Sequence, residues 1–299
     1  MYTTHLEIFA QIDGIGAASG LFLIGDLLYI IGDNSGYLNV YNIKTKALNK
    51  IQILFNDNHS LENIPKANKP DFEVLCSYKN ILYILGSGST SKRNLMIEYA
   101  LETKSVVQKD LSKLYDRLKS ISSIDDENFN IEGTIFNGAE WLLFNRGNGI
   151  ATKNGIFRIG EKDLENADKI RFFPSSLPKI NHVEASFTDA ILYQNEIFFI
   201  ATAEDTKSTY HDGEVLGSFI GSINLESLKI NFTHKISDSH KFEGISFLNQ
   251  TENKIEFLLC EDRDTEELNA TVYKLTLNFK PIIEIQDRDY YLSPSNLFQ

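Results

Sequence analysis

The sequence has few of the residues that mark several protein classes. Of its 299 residues, 2 are cysteine and 6 are proline. Cys76 and Cys260 both lie in apolar segments typical of strands, so two buried thiols are expected rather than a disulfide or a metal-binding pair. Buried thiols favour a reducing compartment, and the expected location is the cytoplasm. A leader outside this sequence would change that expectation.

Positive charge is also scarce. The chain has 29 Lys and Arg against 41 Asp and Glu, which gives a net charge of −12 and a pI near 5.0. Nucleic-acid binding depends on clustered Lys and Arg that displace counterions, so no nucleic-acid partner is expected. An acidic chain can still bind cations wherever its fold gathers carboxylates.

Long apolar runs are missing as well. No segment is long enough to span a membrane, and residues 1–5 lack the basic and apolar regions of a signal peptide, so no membrane partner is expected. Aromatic residues, in contrast, make up 11% of the chain, with 20 Phe and 13 Tyr. Together with runs of β-branched residues they favour strands.

Five segments of the sequence share one pattern, and each opens a short strand. The spacings between successive copies are 54, 59, 56 and 55 residues, and the first residues of the copies are Ser19, Glu73, Glu132, Thr188 and Glu243. In the first four copies a second strand follows at a fixed offset. A small insertion at residues 250–253 delays it in the fifth. A third strand follows in every copy, and a fourth in four of them.

Four antiparallel strands in a period of about 55 residues are the signature of a propeller blade. The sequence therefore predicts an all-β, five-bladed β-propeller that forms one domain over residues 1–299, with a helical insertion at about 111–122. Residues 6–12 are predicted to close the ring as the fourth strand of the last blade. Residues 281–285 compete for that place.

The first residue of each copy is expected to lie near the propeller axis, because it opens the innermost strand. Three of the five are glutamates, and three carboxylates crowded in a low-dielectric centre require protons or a cation. Ca²⁺ accepts carboxylate, hydroxyl, carbonyl and water oxygens together. The sequence therefore predicts an axial calcium site made of Ser19, Glu73, Glu132, Thr188 and Glu243.

Other occupants of this centre stay open. Zinc is disfavoured because no His or Cys repeats, whereas sodium and magnesium share the preference for oxygen. In the metal-free alternative, the glutamates accept hydrogen bonds from backbone N–H groups of the adjoining blade.

Strand parity puts the connections between second and third strands on the face where the innermost strands begin, which we call the axial mouth. These connections are predicted to be long, polar loops, one of them at residues 202–217. Such loops are typical of a small-molecule site, although the same residues also form simple turns. The catalytic candidates there are Asp33 or Glu204 as a base and Arg146 as a phosphate contact. Supporting candidates are Arg93 or Arg263, and an acid–base pair of His211 and Asp212.

The order of the axial residues resembles that of the calcium-activated nucleotidases, or apyrases, whose axial ligands run Ser, Glu, Glu, Ser, Glu. Residues 241–247 (KFEGISF) are similar to the last blade of that family, and residues 28–36 (LYIIGDNSG) to its first. Arg146 falls where the family's third blade has arginine, and Glu204 near an acidic position of its fourth. The resemblance implies a five-bladed propeller with an axial calcium ion that hydrolyses phosphoanhydrides.

Three departures from the family weaken the expected phosphate binding. Asn34 and Gly147 stand where the family has arginine, and Thr202 where it has lysine. Residues 130–133 (NIEG) show a looser resemblance to phytase-like and esterase-like propellers. Two functions therefore stay open: a calcium-dependent hydrolase of phosphoanhydrides or phosphoesters, and a non-enzymatic, calcium-stabilised propeller that binds a carbohydrate, a peptide or a phosphorylated metabolite.

Overall fold

A computed structural model describes residues 2–55, 60–149, 153–206, 213–261 and 267–279. These residues form five four-stranded antiparallel sheets whose innermost strands contact one another in ring order. The predicted all-β, five-bladed β-propeller is therefore confirmed.

The elements follow the chain blade by blade, after a first strand that joins the last blade. That strand is β1 (Tyr2–Asp13). Blade 1 has β2 (Ala18–Ile24), β3 (Leu27–Gly32), β4 (Tyr37–Asn42) and β5 (Leu48–Gln52). Blade 2 has β6 (Phe72–Tyr78), β7 (Ile81–Gly86), β8 (Leu95–Ala100) and β9 (Val106–Asp110), followed by the helix α1 (Ser112–Ser122).

Blade 3 has β10 (Ile131–Phe136), β11 (Trp141–Asn145), β12 (Gly155–Ile159) and β13 (Ile170–Pro174). A short hairpin of β14 (Lys179–Ile180) and β15 (Val183–Glu184) leads to the next blade. Blade 4 has β16 (Ser186–Tyr193), β17 (Glu196–Asp205), β18 (Glu214–Asn224) and β19 (Ile230–Ser237). Blade 5 has β20 (Phe242–Gln250), β21 (Lys254–Glu261) and β22 (Asn269–Phe279), with β1 outermost.

The outermost strand of each blade is the least buried. β10 is buried at all six positions, whereas the outermost strands β5, β9, β13 and β19 have no buried residue. A strand covered on both faces needs a continuous apolar run, and an edge strand does not. The sequence therefore places the core between adjacent blades.

Aromatic rings fill part of the space between blades. Phe187 of blade 4 packs edge-on against Phe144 of blade 3 and Phe199 of its own blade, at centroid distances of 5.2 and 5.1 Å. Buried aromatic pairs of this geometry stabilise beyond the area they bury.

The ring closes through β1, which pairs antiparallel with β22 from Tyr2 opposite Phe279 to Asp13 opposite Asn269. The predicted closing strand at residues 6–12 is part of β1 and is confirmed. The competing segment 281–285 lies outside the described residues.

The predicted loop at residues 202–217 is wrong at both of its ends. β17 continues to Asp205 and β18 begins at Glu214, so Thr202 and Glu204 are strand residues. The side chains explain the error, because Thr202 Oγ1 and Ser218 Oγ are buried and share a hydrogen bond of 2.8 Å across the two strands. Polar residues here satisfy one another inside the sheet.

The helix α1 supports the connection that carries Arg93. The Tyr115 hydroxyl donates to the carbonyl oxygen of Gly86 at 2.7 Å, at the start of that connection. Gly88 has a φ of +74°, and a Cβ atom there would lie 2.6 Å from the rings of Tyr115 and Phe129. Only glycine fits this position.

Two further expectations concern cysteines and membranes. Cys76 and Cys260 are both buried thiols. Among the described residues, no helix combines the length and the hydrophobicity needed to cross a lipid bilayer.

Candidate functional site at the axial mouth

Each innermost strand begins with a β-bulge, and the bulged residue is the one that opens each repeat. In blade 1 the register of β2 against β3 steps from Ala18 to Gly20 and leaves Ser19 out of the pairing. The corresponding steps in the other blades leave out Glu73, Glu132, Thr188 and Glu243. A bulge re-aims the side chain of the extra residue. All five residues are buried. The same β-bulge therefore occurs at the first residue of every repeat, at one end of the ring.

Glycine follows the axial residue in three blades because neighbouring strands approach closely there. A Cβ atom on Gly133 would lie 3.1 Å from the backbone nitrogen of Ala190. One on Gly244 would lie 3.0 Å from the Cα atom of Gly20. Both neighbours are backbone atoms of the next blade, which cannot rotate away. In each Glu-Gly pair, the glutamate thus provides an axial carboxylate and the glycine allows the next blade to pack closely.

The Arg146 guanidinium joins carboxylates from three blades. Its Nη1 lies 3.1 Å from Oε1 of Glu132 and 3.7 Å from Oε1 of Glu243. Its Nη2 donates to Oε2 of Glu204 at 2.5 Å. Lys241 adds a second cation, with Nζ 2.9 Å from Oε1 of Glu243. These side chains are at most 9% exposed, and the two cations offset two of the three negative charges on this side of the axis.

The third axial glutamate, Glu73, belongs to a second group of charges. One oxygen from each of Asp33, Asp71 and Glu73 lies within 4.8 Å of the other two. Lys69 bridges Asp33 and Asp71, with its Nζ 2.8 Å from Oδ1 of Asp71. Arg93 donates from Nη1 to Oδ2 of Asp71, also at 2.8 Å. No hydrogen bond from the described residues reaches the carboxylate of Glu73.

The two axial hydroxyls have different surroundings. Ser19 Oγ donates to the backbone carbonyl of Phe72 in the next blade at 2.5 Å. Thr188 Oγ1 is buried and has no hydrogen-bond partner among the described residues. The charges of the three glutamates are therefore close enough to interact. Ser19 lies at the boundary of blades 1 and 2, and Oγ1 of Thr188 has no partner among the described residues.

The inter-blade hydrogen bond expected in the metal-free alternative is made by a different carboxylate. Oδ2 of Asp189 accepts from the backbone N–H of Ile245 in blade 5 at 2.9 Å, and Oδ1 accepts from Ala190 at 2.7 Å. Asp189 directly follows the axial Thr188. It links blades 4 and 5 without occupying an axial position.

Burial and repulsion raise the pKa of two axial glutamates. Burial is the main cause for Glu73, whose pKa lies well above its usual value, and the charge of Glu132 adds to it. Burial likewise raises the pKa of Glu132 to about 7. Burial lowers the pKa of Lys69, but the attraction of Asp33 and Asp71 outweighs it and raises that pKa. Burial and repulsion therefore disfavour the ionised forms of Glu73 and Glu132.

Sequence reasoning missed Lys69, Asp71 and Lys241. They lie in connections between the fourth strand of one blade and the first strand of the next, and parity brings these connections to the axial mouth as well. A signal was present, since Asp71 and Lys241 each precede an axial glutamate by two residues, the spacing that puts side chains on one face of a strand. Asn130 has the same spacing and donates to Oε1 of Glu132 at 2.6 Å.

The remaining candidates divide into two groups. Asp33 and Glu204 are both buried at the axial mouth, and Arg93 is buried beside Asp71. The candidates Arg263, His211 and Asp212 lie outside the described residues.

Four buried polar atoms at the axial mouth have no hydrogen-bond partner among the described residues. They are Oδ1 of Asp33, Oδ1 of Asn130, Nε of Arg146 and Oγ1 of Thr188. Buried polar atoms are normally satisfied by protein, water or an ion, because an unmade hydrogen bond costs free energy. Three oxygen acceptors and one N–H donor are the complement of a hard cation and an anionic oxygen.

Fold and site together define a five-bladed β-propeller with a charged cluster at one end of its axis. The chain belongs to a family of unknown function, DUF6929, whose family model matches residues 14–277. No curated protein matches the sequence.

Several solved structures share the fold at low sequence identity. The allergen Mala s 1 of Malassezia sympodialis has a TM-score of 0.54 and 10% identity, over 89% of this chain and 95% of that one. Glutaminyl cyclase of Myxococcus xanthus has a TM-score of 0.51 and 9% identity, over 91% and 96%. PQQ-bound aldose sugar dehydrogenase of Streptomyces coelicolor has a TM-score of 0.50 and 10% identity, over 92% and 98%. Two of the three are named as enzymes and none as an apyrase, and at such identities the likeness shows the fold alone.

Proposed function

We propose that the axial mouth binds a divalent metal ion, with calcium as the first candidate, and a phosphorylated small molecule. The protein hydrolyses a phosphoanhydride or phosphoester bond of that molecule. The observation that carries this proposal is Glu73. Its carboxylate is buried, no described hydrogen bond reaches it, and oxygens of Asp33 and Asp71 lie within 4.8 Å of it. A buried carboxylate in this position requires a counterion or a proton.

The formal charge of the site matches one divalent ion. Six carboxylates and four cationic side chains give a charge of −2 when all are ionised. These ten residues, which we call the mouth cluster, are Asp33, Lys69, Asp71, Glu73, Arg93, Glu132, Arg146, Glu204, Lys241 and Glu243. One divalent cation or two protons would balance that charge. The raised pKa values of Glu73 and Glu132 indicate where protons would sit in metal-free protein.

The donor atoms suit Ca²⁺ better than Zn²⁺, because the mouth cluster offers oxygens and contains neither His nor Cys. Glu73, Glu132 and Glu243 would hold the ion with the hydroxyls of Ser19 and Thr188, and the unpartnered oxygen of Thr188 supports this set. When bound, the ion supplies a Lewis acid that polarises a phosphoryl oxygen.

Asp33 is better placed than Glu204 to accept a proton from water. One oxygen of Glu204 is held by Arg146 and the other by the N–H of Gly213 at 2.6 Å. Oδ1 of Asp33 is buried without a partner among the described residues, and burial raises the pKa of this carboxyl, which makes its carboxylate a stronger base.

Arg146 remains the proposed phosphate contact, through its Nε. That N–H is buried and no described residue accepts from it, although both terminal nitrogens are engaged by carboxylates. An N–H of a charged guanidinium makes a strong hydrogen bond to a phosphate oxygen.

The alternative function is a propeller that binds a ligand without turnover. It is favoured because both residues proposed as the base, Asp33 and Glu204, form ion pairs. Asp33 pairs with Lys69, and Glu204 pairs with Arg146. A neighbouring cation favours the ionised form of a carboxylate and weakens it as a base. In this case the mouth cluster stabilises the ring and shapes a binding surface for a phosphorylated metabolite, a carbohydrate or a peptide.

The metal site is tested on the full chain after chelation. Ca²⁺ should raise the melting temperature and give a calorimetric binding curve, with a stabilisation of about 2.7 kcal/mol at a hundredfold excess over Kd. Glu73→Gln should abolish both effects. Glu226→Gln is the matched control, because it removes the same charge from an exposed turn between β18 and β19, at the opposite end of the ring.

Turnover is tested as phosphate release from nucleoside diphosphates and simple phosphoesters, with and without Ca²⁺. Calcium-dependent release that Asp33→Asn removes supports the hydrolase. Calcium-dependent binding of these compounds, of a sugar or of a peptide without release supports the alternative function. If Ca²⁺ changes neither stability nor binding, the mouth cluster is a metal-free structural network.

A further inference from the structure

A cavity of about 270 Å³ lies at the opposite end of the innermost strands from the mouth cluster. Residues of β2, β6, β10 and β16 line it, so four of the five blades contribute. Residues 75–78 of β6 follow Glu73 by two to five positions. At about 3.3 Å per residue they extend from about 7 to about 16 Å beyond that carboxylate.

The cavity has no ionisable charge of the kind that fills the mouth. None of its lining residues is Asp, Glu, Lys, Arg or His. Its one thiol, that of Cys76, is neutral because burial raises the pKa. A charged ligand would lose its hydration here without gaining a counterion, so an occupant must be uncharged.

A rigid aromatic wall bounds the cavity on the side of blades 2 and 3. The rings of Tyr78 and Phe136, which both line it, meet edge-on at a centroid distance of 5.0 Å. Trp141 stacks behind Phe136 at 4.1 Å. Side chains fixed in this way give a preformed apolar surface, which is the usual character of a small-molecule site.

One buried side-chain polar atom of a lining residue has no hydrogen-bond partner among the described residues. This atom is Oγ1 of Thr134, a residue that is 1% exposed. A buried hydroxyl of this kind costs stability unless something bonds to it. A ligand that carries one hydroxyl or carbonyl group would satisfy it.

We infer that this cavity is a second ligand site, which takes a small, uncharged, mainly apolar molecule that forms one hydrogen bond with Thr134 Oγ1. The cavity volume limits the ligand's size, and the lack of charged residues and the aromatic wall favour an uncharged, apolar ligand. The unpartnered hydroxyl favours a ligand with one polar group. The site needs neither the metal ion nor the phosphorylated ligand proposed for the axial mouth, and it stands or falls independently of them.

Phenol and toluene are matched probes, because they have similar shapes and only phenol has a hydroxyl group. Binding of each to the full chain is measured by ligand-observed NMR and by thermal melting, in the presence of chelator. Wild-type protein should bind both and prefer phenol. Thr134→Val keeps the shape of the side chain, so it should weaken phenol about fivefold, the value of one neutral hydrogen bond, and change toluene less than twofold.

A second variant locates the binding. Ser77 is half-buried and lines the cavity, so Ser77→Phe should fill it and remove both probes. Circular dichroism verifies that this variant is folded, and if it is not, the comparison of probes in Thr134→Val decides alone. The inference is overturned if wild-type protein binds neither probe, if Ser77→Phe is folded and still binds them, or if Thr134→Val weakens phenol and toluene equally.

Discussion

Arg146 and Glu204 form a buried ion pair between blades 3 and 4, with Nη2 and Oε2 2.5 Å apart. Arg146 directly follows β11, and Glu204 lies near the end of β17. Because the same guanidinium also reaches Glu132 and Glu243, one side chain connects three blades. The axial mouth is thus held together by charge, whereas apolar packing fills the space between the blades elsewhere.

Removing this guanidinium should destabilise the metal-free protein strongly. Arg146→Met leaves Glu132 and Glu204 buried without their counterion, a change that typically costs about 3–5 kcal/mol. The measurement is urea denaturation in chelator. Arg171→Met is the control, because it removes an exposed arginine from the same blade and should stay within about 0.5 kcal/mol of wild type. Equal effects of the two variants would contradict the structural role of Arg146.

Lys69→Met should act in opposite directions on stability and on calcium affinity. Without Lys69, Asp33 and Asp71 repel each other, so the metal-free protein becomes less stable. The same change removes a positive charge beside the proposed ion site, so Ca²⁺ should bind about tenfold more tightly. Calorimetry measures the affinity, and Lys109→Met, which breaks an ion pair with Glu98 on the outer strands, should not change it. Weaker binding in Lys69→Met would place the ion elsewhere.

Calcium binding should release protons. At pH 6, Glu132 with its pKa of about 7 is mostly protonated in the metal-free protein, and the raised pKa of Glu73 favours its protonated form as well. A divalent ion displaces them, so between one and two protons should leave for each ion bound. Calorimetry in buffers of different ionisation enthalpy counts these protons. Glu132→Gln should lower the count by about one, and a count of zero in wild type would argue against these ligands.

The stability of metal-free protein should fall as pH rises from about 4.5 to about 7. The pKa of Glu132 is 4.5 without the fold and about 7 within it. Between these values the folded state binds more protons than the unfolded state, so the free energy of unfolding decreases with pH, by up to about 3 kcal/mol. Urea midpoints across this range test the slope. Glu132→Gln should make the slope shallower, and saturating Ca²⁺, which also acts on Glu73 with its raised pKa, should reduce it further. A wild-type slope that both leave unchanged must come from another group.

Asp189 offers a test that does not involve the ion. Asp189→Ala leaves the buried N–H of Ile245 without an acceptor, which should cost about 1–3 kcal/mol in urea denaturation. Asp189→Asn keeps one amide oxygen as an acceptor and should cost less. The difference between the two variants should be the same with and without Ca²⁺. Identical stabilities would show that the hydrogen bond between blades 4 and 5 contributes nothing.

The sequence predicts most of the fold because equivalent strands recur at nearly the same spacing in all five copies of the repeat. Glu73, Glu132 and Glu243 could be identified because each opens a copy of the same pattern. Lys69 could not, since it lies in the connection between Gln52 and Phe72, where no periodicity marks position. The bulges were equally hidden, because Ser19 and Thr188 are left out of the pairing by backbone register and not by residue type.

The partners of Arg146 show the same limit for the site. Its position after the second strand of blade 3 follows from the sequence, but its contact with Glu204 depends on how far β17 extends. Polarity suggests a loop there, and the buried pair of Thr202 and Ser218 makes it a strand. Side chains that satisfy one another across a sheet cannot be distinguished from loop residues by composition.

The closure of the ring by β1 and β22 also determines how the ring responds to force. Residue 2 lies opposite residue 279 at one end of the ladder, and residue 13 lies opposite residue 269 at the other. Tension applied at residues 2 and 279 acts across the strands, and it breaks the hydrogen-bonded pairs one after another, as in a zipper. Pulling at residues 13 and 279 loads the same ladder along its length, so that many pairs must give way together. The propeller should therefore open easily in the first geometry and resist in the second.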